Sequence, residues 1–130
     1  MINYDEREMK LLGRAFFQAV ERGNPDTVAS YLEEGMPVNY QDPDTKQAAL
    51  HVAAACKARE AVRVLARQPD CNFILRDRRG RLPSEMAYAF GNDPALARYL
   101  GNKERTQAEA QGLKLTYRRT LPVLTVITPK

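Results

Sequence analysis

Met9, Leu12, Phe16, Ala19 and Val20 recur at steps of three and four residues, with mostly polar side chains between them. That spacing lays one apolar stripe along a helix and predicts a continuous helix over residues 3–22. Gly23-Asn24-Pro25 interrupts it. Asn24 is a good N-cap, and Pro25 suits a first helical position, where its missing N–H leaves no bond unmade. A second helix is expected through Val28, Tyr31 and Leu32, ending at Gly35, which takes a left-handed turn readily. Two helices joined this tightly form an antiparallel pair.

Met36 to Gln47 then reads as an extended excursion: Val38 and Tyr40, followed by the turn formers Asp42-Pro43-Asp44-Thr45. The stretch from Gln47 to Gln68 repeats the plan with an Ala-rich helix, a polar break at Lys57-Ala58-Arg59 and a second helix through Val62, Val64 and Leu65. A shift of 34 residues puts Ala53 on Ala19 and Ala87, Val62 on Val28 and Leu96, and Leu65 on Tyr31 and Tyr99. It also puts Ala66 on Leu32 and Leu100, and Lys57 on Gly23 and Gly91. Gln68-Pro69-Asp70 ends the central pair, and a second excursion runs from Phe73-Ile74-Leu75 into Arg76-Asp77-Arg78-Arg79-Gly80-Arg81. Leu82 to Ala87 opens a third pair, Gly91-Asn92-Asp93-Pro94 turns it, and Ala95 to Leu100 closes it. A fixed period of this length marks a repeat solenoid, whose units bury their apolar faces only by stacking.

Ala48-Ala49-Leu50-His51-Val52-Ala53 resembles the T-P-L-H-x-A motif of ankyrin repeats, with Ala in place of Thr and Pro. Gly80 to Ala87 resembles a variant of the same helix start, and Gly23, Leu32, Gly35, Val38 and Asn39 fall at the family's intervals. The resemblance covers about residues 14–101. It implies an all-α ankyrin-repeat solenoid over 1–101, in three units (3–39, 40–73 and 74–101) with hairpin-like loops. A unit of 34 rather than 33 residues implies an added residue in each connection. Tetratricopeptide repeats share the 34-residue unit, but their Trp-bearing pattern is absent and the chain has no Trp.

Residues 102–130 form a C-terminal helix and extended tail outside the repeats. Asn102 to Gln111 is polar and compatible with a helix, while Leu113, Leu115 and Tyr117 alternate with polar residues and Val123 to Thr128 is more uniformly apolar. A solenoid exposes an apolar face at its end. The tail is therefore read as a cap on the third repeat, or else as a strand offered to a partner or a second copy.

Charge changes this picture more than bulk composition does. The net +4 divides into nine acidic and four basic side chains over residues 1–45, against seven acidic and sixteen basic over 46–130. Such asymmetry can steer a charged partner. No apolar run approaches a membrane span and the charged N-terminus lacks a secretory h-region, so a cytoplasmic protein without membrane contact is expected. Two cysteines, without C-x-x-C spacing, imply neither a disulfide framework nor a metal site.

Chemistry has few footholds. His51 is the single histidine, and the resemblance gives it a structural place at a helix start. Neither a phosphate loop, a zinc motif nor a nucleophile elbow occurs, so no enzyme, cofactor or metal is expected. The ankyrin resemblance instead implies binding through hairpin tips and the concave face of the first helices. Those surfaces carry Asp42 and Asp44, then Arg76, Arg78, Arg79 and Arg81, with Glu21, Arg22 and Phe90 on the helices. The expected function is non-enzymatic protein–protein interaction by an inhibitor, immunity-type antagonist or adaptor, as a monomer or a tail-mediated dimer. The rival is nucleic-acid binding through the finger arginines with Arg118 and Arg119.

Overall fold

The computed structural model describes residues 4–117. It contains α1 (Glu6–Glu21), α2 (Pro25–Glu33), α3 (Ala49–Ala55), α4 (Arg59–Ala66), α5 (Pro83–Ala89) and α6 (Pro94–Ala110), with no strand among the described residues. The helices pair in chain order; α3 packs on both α1 and α5 in an inner row, and α2 packs on α4 in an outer row. Loops 34–48 and 67–82 project between the pairs as two fingers. This is an all-α repeat solenoid.

Local chemistry fixes the helix starts. Asp5 caps α1 by accepting the Glu8 N–H at 2.7 Å, and the Glu8 carboxylate accepts the Asp5 N–H at 3.0 Å. This reciprocal cap starts the helix at Glu6 rather than at residue 3. Asn24 accepts from the N–H groups of Asp26 and Thr27, with Pro25 opening α2. Gly35 follows that helix with φ of 104°, the left-handed stop.

Helix α3 lies at the centre, and Ala49 through Ala54 are all buried. Three neighbouring helices press on it, so its mostly small side chains let the backbones approach. Around it Phe16, Val20, Val28, Val62, Leu65 and Leu100 are fully buried, each apolar side chain contributing about 1.5–3 kcal/mol. The first finger is held to α1 by Tyr40, whose ring lies 6.0 Å from that of Phe17 and occupies the space a Cβ on Gly13 would need.

The repeat interval is not constant. The N-caps Ala48 and Leu82 are 34 residues apart, as are Asn24 and Ala58, but Ala58 and Asp93 are separated by 35. The left-handed residue of the inner turn is Gly23, then Lys57 (φ 57°), then Asn92 (φ 51°) rather than Gly91. A strict 34-residue alignment therefore misplaces the last helix by one. Leu65 corresponds to buried Leu100 instead of Tyr99, Val62 to Ala97 instead of Leu96, and Ala66 to Gly101 instead of Leu100. Gly91 is the added residue, and it is wedged: a Cβ there would stand 2.4 Å from the Ala54 carbonyl oxygen and 2.9 Å from that of Ala87.

Helix α6 runs unbroken across position 101 to Ala110, taking in the polar stretch read as helix-compatible. Its extension attends to the third repeat. Gln107 donates to the Cys71 carbonyl at 3.0 Å and accepts the Phe73 N–H at 2.7 Å. Asn39, from the preceding repeat, binds the same stretch, donating to the Asp70 carbonyl and accepting the Asn72 N–H. Fully buried Glu104 accepts from the Ser84 N–H at 2.8 Å, the Ser84 hydroxyl at 2.7 Å and the Tyr117 hydroxyl at 3.1 Å. Leu113, Leu115 and Tyr117 form no strand. Arg118, Arg119 and the Val123–Thr128 segment lie outside the described residues.

Two substitutions in the inner turns should move stability in opposite directions. Lys57→Gly relieves a left-handed backbone and should stabilise by about 0.5–1 kcal/mol. Gly91→Ala forces a methyl against two carbonyl oxygens and should destabilise by about 1–3 kcal/mol. Urea unfolding of the two variants beside the unaltered chain measures both.

Candidate functional site

The finger tips are built by aspartates turned back on their own backbones. In the first finger the Asp42 N–H donates to the Gln47 carbonyl, and the Asp42 carboxylate accepts the N–H groups of Asp44 (2.7 Å) and Thr45 (3.0 Å). Partial burial pushes this carboxyl up, but those bonds and Lys10 outweigh it and hold it below its ordinary range. The exposed Asp44 side chain lies 3.6 Å from the Lys10 ammonium. In the second finger the Asp77 N–H donates to the Arg81 carbonyl. The buried Asp77 carboxylate accepts the N–H groups of Arg79 and Arg81 and the Arg81 Nε. Burial again opposes the charge, and the Arg81 contacts again prevail, keeping Asp77 below its ordinary value.

The finger arginines are largely occupied in holding this architecture. Arg76 donates to the carbonyls of Gly80 (2.7 Å) and Thr116 (2.8 Å). Arg78 reaches the neighbouring finger twice, its backbone N–H to the Thr45 carbonyl and its guanidinium to the Asp44 carbonyl, both at 2.8 Å. Arg81 is bound to Asp77, and its guanidinium carbon sits 5.2 Å from the centre of the Phe90 ring. Arg79 is exposed at the tip. The two fingers are thus joined rather than separate, with Arg78 bridging them.

His51 ties the first helices to the fingers. Its Nδ1 accepts the Ala48 N–H at 3.0 Å, which assigns the proton to Nε2, and Nε2–H donates to the Arg81 carbonyl at 2.9 Å. Burial holds its pKa below the ordinary value. The neutral ring supplies one acceptor and one donor, and both are used.

Below the fingers, the inner helices leave a concave hollow of about 300 Å³. Glu21, Cys56, Arg81 and Phe90 line it with Gln47, Val52, Ala55 and Met86. The structure thus brings Glu21, Arg81 and Phe90 together. Arg22 is exposed at the end of α1, while Asp42, Asp44, Arg76, Arg78 and Arg79 belong to the finger tips above. Phe90 is the large apolar group of the hollow, 52% exposed at the C-cap of α5. Gln47, Val52 and Met86 were not foreseen from the sequence. Their place in the hollow follows from how successive helices superimpose, which their residue types do not signal.

This surface offers little reactive chemistry. Burial and the Glu21 carboxylate push the Cys56 thiol up, away from the thiolate that nucleophilic attack requires. Cys71 is pushed further, to about 12, by burial and then by Asp70. Among the described residues no group of three His, Cys, Asp or Glu side chains is placed to hold a metal ion. No helix of the described residues is long and apolar enough to cross a membrane.

A family model of ankyrin repeats, in three copies, matches residues 16–110. The chain belongs to the ankyrin repeat family. A search among curated proteins finds no match. Ankyrin repeats generally mediate protein–protein interaction, and the family is generally non-enzymatic. In this ankyrin protein the hollow beneath the fingers combines an exposed aromatic ring with charges of both signs.

His51 and Glu104 should give opposing pH dependences of stability. The folded-state pKa of His51 is lowered, so its contribution is lost as pH falls below the ordinary histidine value of 6.5. Burial raises Glu104 from 4.5 to about 7, so its contribution is present below 4.5 and is lost as pH rises through about 7. For that buried carboxyl the loss amounts to roughly 3 kcal/mol. Glu104→Gln should therefore leave a stability that falls on acidification from pH 7.5 to 5.5, and His51→Gln one that rises. Denaturant midpoints across that range decide it; parallel profiles would reject both assignments.

Proposed function

We propose that this ankyrin-repeat protein acts in the cytoplasm as an inhibitor, immunity-type antagonist or adaptor, holding another protein in its concave groove and against its finger tips. The observation that supports this reading best is Phe90. An aromatic ring half exposed to water, with a guanidinium over its face and a hollow beside it, has the composition of an interface anchor. Glu21 and Arg81 in the same hollow would give the partner its orientation, because charges at an interface select register more than they add affinity. The bonds between the fingers favour binding without reordering, which reduces the entropy lost on association.

Nucleic-acid binding remains the rival, but the Arg76, Arg78 and Arg81 side chains already donate to carbonyls or to Asp77. That favours a protein partner over a row of phosphates. Affinity for single- or double-stranded nucleic acid at low ionic strength, collapsing as salt is raised, would support the rival.

The test uses Phe90→Ala and Glu21→Lys, since both side chains are exposed and neither change should alter the melting temperature by more than about 3 degrees. With a partner captured by the unaltered protein, Phe90→Ala should weaken binding by about 2 kcal/mol, some thirtyfold in Kd. Equal affinity of both variants and the unaltered chain would exclude the groove as the binding site.

A further inference from the structure

The outer face carries a second surface, separate from the finger tips and the concave groove, that reaches the base of the second finger at Phe73. Along the outer row α2 packs against α4, but α4 and α6 stand farther apart. The added residue Gly91 advances the turn into α6 by one position. At the start of the two helices Arg59 grips the buried N-cap Asp93 through bonds of 2.7 and 2.6 Å, and this pairing holds the Asp93 carboxyl down at about 2. At the other end Gln107 fastens α6 to the second finger. Between these two ties the space stays open as two hollows, of about 150 and 440 Å³.

Tyr99 lines both hollows and stands between them, 39% exposed. In the register set by the helix caps its counterparts are Ser30 and Val64, so the repeat itself does not call for an aromatic ring at this position. The lining on one side includes Val62, Ala95 and Leu96, and on the other Phe73 and Ala110. Among the described residues that line the two hollows none is a carboxylate, whereas Arg63 and Lys103 are present. The Lys103 ammonium is 5.7 Å from the Tyr99 ring centre. Arg63 is paired at 2.6 Å with Glu60, and both side chains are more than half exposed. An exposed pair of this kind is worth at most about 1 kcal/mol, so an incoming carboxylate can replace Glu60 with little loss.

We propose that the groove between α4 and α6 docks an acidic amphipathic segment of a protein partner. Its apolar side chains would enter on either side of Tyr99, and its carboxylates would meet Arg63 and Lys103. The assignment stands apart from the concave-groove reading, because it uses different residues on the opposite face.

The full chain, labelled with nitrogen-15, is titrated with a synthetic helical peptide of roughly four turns. The peptide carries leucine on one face and glutamate on the flanks, and a second peptide has lysine in place of every glutamate. At low ionic strength the acidic peptide should shift the amides of Arg63, Tyr99 and Lys103. Affinity should fall at least tenfold in Arg63→Glu with Lys103→Glu, fall severalfold in Tyr99→Ala, and be unchanged in Phe90→Ala. The lysine peptide should leave this face unshifted. Four results overturn the proposal: no shifts here at millimolar acidic peptide, equal binding of the lysine peptide, shifts in the concave groove that Phe90→Ala abolishes, or full affinity in Tyr99→Ala. The last would reduce the contact to diffuse attraction without a groove.

Discussion

Each finger that leaves the helical rows carries backbone N–H and C=O groups that its own repeat does not satisfy, and the fold depends on a neighbouring repeat supplying the partner. Arg78 serves Asp44 and Thr45 of the first finger; in the second, Asn39 serves Asp70 and Asn72, His51 serves Arg81, and Gln107 serves Cys71 and Phe73. A buried polar group left without such a partner costs about 1–3 kcal/mol, comparable to burying a core side chain. Apolar stacking holds the helices together, but these bonds fix where the fingers stand. Among the described residues every buried side-chain nitrogen and oxygen has a partner. The repeats are therefore linked in two layers: through the Ala-rich seam of α3 and through polar ties from each unit to the next.

The third repeat tests this logic, since among the described residues its own second helix, rather than a further helix pair, makes the next tie. Helix α6 supplies it by running past the repeat, so that Gln107 binds the stretch that Asn39 also binds and Glu104 reaches the start of α5. The buried carboxylate is the weak point of this arrangement. It has three hydrogen-bond donors, Glu85 beside it adds repulsion, and no ion pair among those formed by the described residues includes it. A charge without a counter-charge in such surroundings favours its proton, which is why this carboxyl titrates near neutrality.

Helix pairs, caps and the repeat itself are legible in the sequence because each has a local cause: apolar spacing, Asn24-Pro25, Gly35. The register of α6 is not. An added residue in a turn leaves the periodicity within each helix unchanged, and Gly91 and Asn92 both tolerate a left-handed backbone, so the residue types do not say which one turns. The backbone settles it, with Asn92 left-handed at φ 51° and Gly91 packed against the Ala54 carbonyl. The finger arginines are visible as charge, but their partners are backbone oxygens of Asp44, Gly80 and Thr116, and side-chain spacing carries no trace of those. Phe90 is legible as an aromatic at a concave position. The rest of its hollow comes from α1, α3, Met86 of α5 and the loops before α3 and α5, and becomes visible only once the repeats are stacked.

The single-residue shift also explains why the two faces of the molecule differ. On the inner side the first helices keep a 34-residue interval, pack closely, and leave the hollow lined by Phe90 beneath joined fingers. On the outer side the 35-residue interval separates α6 from α4 and turns Tyr99 outward where a strict repeat would bury it. The Arg59–Asp93 pair joins the two helices at one end of that gap, and at the other Gln107, which also positions the second finger, fastens α6. The outer opening therefore lies between two polar ties, only one of which reaches a finger.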